Sequence, residues 1–138
     1  METLQTYDSF SDNKSIKELK YRILRDIVSL KSFKFELRFY KLLLDKPIFK
    51  PHVMNLYETL IRYKNEITVL SENSKSLLTE LSTHANQIKN KIECEDLACD
   101  NFFKGRHDDL ERKVFNFKTK IFNFKFRLFQ YIESIIVN

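Results

Sequence analysis

The chain has 138 residues, with 24 Lys and Arg, 19 Asp and Glu, one Gly and two Pro. A length of this order makes one domain, 1–138, and so few Gly and Pro cannot punctuate the turns of a β-sandwich or barrel. The single Gly also excludes a glycine-rich phosphate loop, while 43% hydrophobic and 31% charged residues describe an ordered helical chain rather than a disordered one.

Residues 1–13 hold three acids and no base, with no apolar stretch. They read as neither a secretory signal nor a presequence, and 1–14 is expected to be a flexible tail. Apolar runs reach about three residues, against about 20 for a membrane span, so no transmembrane segment is expected. Two cysteines without a leader fit a reducing, cytoplasmic location.

Ser15-Ile-Lys-Glu18 has the spacing of a capping box. Apolar residues then recur at steps of three and four through Leu19, Ile23, Leu30, Phe33, Leu37, Tyr40 and Leu44. This predicts a helix over about 15–45, stopped by Pro47. The short connection makes the next helix an antiparallel neighbour.

Pro51 suits the first turn of a second helix. The seam runs from Val53 through Leu60, Ile67, Ser74, Leu81 and His84 to Ile88 without a change of phase. A continuous helix over 52–92 is expected; a break near Ser71–Ser74 would instead give a four-helix bundle. His84 lies in the seam, where a buried structural histidine is expected.

Residues 93–106 break the pattern, carry Cys94, Cys99 and the one Gly, and are expected to form a loop. A last helix over 107–137 shows a seven-residue repeat: Val114-Phe-Asn-Phe117, Ile121-Phe-Asn-Phe124, Leu128-Phe-Gln-Tyr131. Three apolar positions per period imply two neighbours rather than one. The fold class is therefore all-α, an elongated antiparallel three-helix bundle resembling a coiled coil. Helices of roughly 30, 42 and 31 residues leave the middle one about 17 Å over length.

Thirteen Phe and six Tyr are more than one thin core hides. Phe35, Phe39, Phe126 and the row Phe115, Phe122, Phe129 form candidate second seams. Large apolar surface marks protein interfaces, and aromatics anchor them. The expected function is therefore a non-enzymatic interaction or scaffold module, self-associating through Phe115, Phe122, Phe126 and Phe129, with a protein partner or homo-oligomer and no cofactor.

Two alternatives follow from other residues. The basic set Lys118, Lys120, Lys125 and Arg127, interleaved with aromatics, suits nucleic-acid or ribosome binding. Bases also line the first helix, where residues 14–50 hold eleven bases against four acids. Cys94, Cys99 and His107 supply three soft ligands for a metal, at spacings unlike the usual zinc patterns. No nucleophile has a base beside it in sequence, so no catalytic residue is assigned.

The stretch Ile92-Glu-Cys-Glu-Asp-Leu-Ala-Cys-Asp-Asn-Phe-Phe103, with His84-Ala-Asn-Gln-Ile88 before it, resembles uncharacterised small helical proteins of Bacteroidota. The resemblance covers the second half of the chain. It implies a bacterial cytosolic source and brings no catalytic residues.

Overall fold

A computed structural model describes residues 15–90 and 97–138, with the backbone alone at 90 and 97–100. Among the described residues three helices make up the bundle: α1 (Ile16–Leu43), α2 (Leu56–Asn90) and α3 (Leu97–Ile135). Each packs against both others. Among the described residues there is no strand beyond one isolated bridge. The expected all-α three-helix bundle is the fold observed.

Cross-helix ion pairs fix direction and register. Arg22, Asp26 and Glu36 of α1 meet Glu111, Lys118 and Lys125 of α3, so those two helices run parallel. Glu80 and Glu66 of α2 meet Lys113 and Arg127 of α3 in descending order, so α2 runs against both.

α1 begins where the sequence places it. Ser15 is the N-cap, and its hydroxyl accepts from the Glu18 amide at 3.2 Å. This satisfies one of the amides that a helix start leaves without a partner. The helix buries Leu19, Ile23, Leu30, Leu37 and Tyr40 on one face. It ends as the amides of Leu44, Asp45 and Lys46 turn back onto carbonyls of its last turn, just before Pro47.

Pro51 does not open α2, contrary to the sequence reading. α2 starts at Leu56, five residues later. The intervening chain is committed elsewhere. The Lys50 amide donates to the Ile135 carbonyl at 2.7 Å, and the Val137 amide to the Ile48 carbonyl at 2.8 Å. These bonds form the Phe49–Ile136 bridge, which ties the first connection to the end of α3. His52 and Asn55 then take left-handed backbone (φ 64° and 56°), which holds the chain out of helix until Asn55 has passed. From there α2 is continuous through Ser71–Ser74, with Ser74 buried, so the four-helix alternative does not occur.

The expected loop 93–106 is a second correction. Residues 97–106 are the first turns of α3, and 93–96 lie outside the described residues, as does the expected tail 1–14. The physical reason is legible afterwards. His107, Leu110, Val114, Phe117 and Ile121 are buried at steps of three and four, and Phe103 extends the same face upstream. Gly105 is exposed, and a Cβ there would meet nothing within 4 Å, so it does not interrupt packing. Among the described residues the helices therefore have 28, 35 and 39 residues, and the last, not the middle one, is longest. α2 and α3 differ by four residues, about 6 Å.

The core is a line of aliphatic and aromatic side chains along the axis. Leu30, Leu37, Ile67, Leu81, Leu110, Ile121, Phe124 and Leu128 are all but inaccessible. Ring contacts join the helices: Phe33 with Phe117, Tyr63 with Phe124, and Tyr40 with Phe129, at centroid separations of 5.5 to 6.2 Å. No helix is long and apolar enough to cross a membrane among the described residues.

Candidate interaction surfaces and a buried polar cluster

The α3 row named from sequence divides between core and surface. Phe117 and Phe124 fill the core. Phe122 and Phe129, seven residues apart, are 44% and 49% exposed, while Phe115 and Phe126 are half-buried. Phe129 lies edge-on to Tyr40, which places this outer side of α3 next to α1. Four residues of one helix thus form a shallow aromatic rim beside the α1–α3 contact.

The basic residues of α3 point to two different neighbours. Lys118 approaches Asp26 at 3.8 Å, and Lys125 reaches Glu36 at 3.1 Å, both on α1. Arg127 donates to Glu66 of α2 through both terminal guanidinium nitrogens, at 2.9 and 3.1 Å. That pairing holds the guanidinium pKa above its usual value. Lys120 is exposed and lines the α2–α3 groove with Arg127. Three of the four cations thus share their charge with carboxylates of the bundle. The four do not form one continuous face.

Sequence reasoning missed a polar cluster where α1, α2 and α3 converge. His84 and His107 are each only 1% exposed, and their ring centroids are 5.8 Å apart. Their spacing along the chain hid this, because the contact depends on register between α2 and α3. His107 Nε2 lies 2.8 Å from Glu111 Oε2, and Arg22 donates to Glu111 Oε1 at 2.5 Å. Asp26 is buried on the adjacent face of α1.

Burial sets the charges in this cluster. It pushes the His84 pKa down to about 4, helped by His107 and Arg106 nearby. Neither His84 ring nitrogen has a hydrogen-bond partner among the described residues, so nothing rewards protonation. Burial also raises the Asp26 carboxyl pKa, with Lys118 offsetting only part. Glu111 goes the other way. Burial alone would raise it, yet the hydrogen bond from His107 and the charges of His107, Arg22 and Arg25 bring it below its ordinary value. A carboxylate held between an arginine and a histidine is a structural clasp at the meeting of helices.

Of the metal set named from sequence, Cys94 and the Cys99 side chain lie outside the described residues. His107 is engaged with Glu111. Among the described residues no three His, Cys, Asp or Glu side chains gather into a group able to hold a metal ion.

A larger surface feature lies on α1. Tyr21, Leu24, Val28, Phe35, Phe39 and Leu42 are each more than half exposed. Phe35 and Phe39 were visible from sequence as surplus aromatics. The aliphatic members were not, because they share the period of the buried seam. Beside them, Lys34, Arg38, Lys41 and Leu42 of α1 line a groove against Ser71, Glu72 and Lys75 of α2.

No protein-family model matches the chain, and no curated protein or solved structure is similar to it.

Proposed function

We propose that the chain is a non-enzymatic helical interaction module that associates with itself through the outer aromatic side of α3. One observation carries the reading: Phe122 and Phe129 stand nearly half exposed one heptad apart, with Phe115 and Phe126 flanking them. Rigid aromatics on a helix face give large contact area at small entropic cost.

Charge is compatible with a face meeting its own copy. Lys118 and Lys125, which border the rim, are matched by Asp26 and Glu36 within the chain. Two such faces brought together therefore meet little net repulsion. The half-buried flanks already have their rotamers restricted by packing, which lowers the ordering cost of association.

Light scattering coupled to size exclusion tests this across a wide concentration range. The wild type is expected to be a dimer or larger at high concentration. The Phe122→Ser/Phe129→Ser variant is expected to be a monomer with unchanged helical content. A wild type that stays monomeric at every concentration overturns the reading.

A further inference from the structure

Four exposed residues of α1, Tyr21, Val28, Phe35 and Leu42, recur every seven residues along about 32 Å of helix. At 100° per residue they lie about 160° from the buried line Ile23, Leu30, Leu37, Leu44. α1 therefore carries two apolar seams, and α2 and α3 cover only one. Leu24 stands three residues after Tyr21, as the second position of a heptad does. One and two heptads further on, that position holds Lys31 and then Arg38, both exposed. Scattered exposed apolar residues are ordinary, but these five together with Phe39 make a row of six on one face, and contiguous apolar rows of this kind mark interaction sites.

The charge around this row is one-sided. Lys17, Arg25, Lys31, Lys34, Arg38 and Lys41 are exposed on α1, against Glu18 as its exposed acid. Asp26 is buried, and Glu36 is bonded to Tyr40 and Lys125. The neighbouring groove adds Lys75 against Glu72. A second copy laid on this face would set Lys31 and Arg38 against bases of their own kind. Like charges at a seam select against that pairing.

We propose that the outer face of α1 docks an acidic amphipathic helix from another protein. The partner supplies an apolar seam for Tyr21, Leu24, Val28, Phe35 and Leu42, and carboxylates opposite Lys31 and Arg38. A helix fits better than a nucleic acid, because Leu24, Val28 and Leu42 offer no ring for a base to stack on and follow a seven-residue rhythm. This goes beyond self-association, since it uses another helix face and another partner. It stands or falls separately.

The test is selection from a displayed library of five-heptad helices, with Leu in the seam and Glu or Lys varied at every flanking position. The full chain is the bait. Glu is expected to be enriched, and the selected peptide should bind less tightly as salt is raised. Val28→Ser/Phe35→Ser should weaken that peptide about 30-fold or more. Lys31→Glu/Arg38→Glu should invert the preference toward Lys. All four positions are exposed, so circular dichroism should show unchanged folding, and light scattering of the same variants keeps the α3 reading separate. No enrichment, enrichment of Lys by the wild type, or affinity untouched by Val28→Ser/Phe35→Ser overturns the proposal. Binding of oligouridylate RNA or of phosphatidylserine vesicles that Val28→Ser/Phe35→Ser abolishes, without any selected helix, also overturns it.

Discussion

The His84 and His107 rings lie 5.8 Å apart, centroid to centroid, where α2 crosses α3 inside the bundle. Protonating His84 there places a charge against His107 and Arg106 with no acceptor at either ring nitrogen among the described residues. Its pKa is about 4 in the folded chain against an ordinary 6.5. The unfolded chain thus binds the proton more tightly. Stability is full above about pH 6.5 and declines as pH falls toward 4, by up to about 3 kcal/mol. Urea midpoints measured from pH 7.5 to 4.5 are expected to fall along this course. His84→Leu should flatten the upper part of the profile. An equal slope in both proteins would contradict the account.

Glu111 continues the acid sensitivity at lower pH. Its lowered pKa means that its contribution is present above the ordinary carboxyl range and is lost as pH falls through the folded value. Glu111→Ala strips partners from Arg22 and His107 together, and is expected to cost about 3 kcal/mol. Glu66→Ala breaks an exposed pair with Arg127 and is expected to cost about 1 kcal/mol or less. Chemical denaturation of the two variants at pH 7.5 checks the contrast.

Gly105 sits inside α3 with open space where a Cβ would be. Gly105→Ala is expected to stabilise by about 0.5–1 kcal/mol through lower backbone entropy of the unfolded chain. A loss of stability on thermal denaturation would place an unseen contact at this site.

Neighbouring phenylalanines should behave oppositely. Phe124 is buried among Tyr63 and the core, whereas Phe122 faces outward. Phe124→Ala is expected to cost about 3–5 kcal/mol. At a concentration where the chain is monomeric, Phe122→Ala should stay within about 0.5 kcal/mol of wild type. Denaturation curves read this directly.

Much of the fold was legible because burial follows heptad spacing. Leu19, Ile23, Leu30 and Leu37 lie inside as their rhythm predicts, as do Val114, Ile121 and Leu128. The same rhythm misleads where a helix has two seams. Val28 and Leu30 look equally suited to a core, and only the placement of α2 and α3 leaves one outside. The start of α3 was hidden because Cys99 and Gly105 resemble loop residues, while the face through Phe103 and His107 holds the helix. The polar cluster was beyond sequence reasoning for another reason. Arg22, His84 and Glu111 come from three helices, and their meeting is set by how far each slides along the others.

The bridge between Phe49 and Ile136 makes the first turn depend on the third helix. The turn joining α1 to α2 borrows two backbone partners, Ile135 and Val137, from the far end of α3. The bend of the first hairpin therefore stays unfastened until α3 has packed beside it, and docking of the third helix closes the bundle.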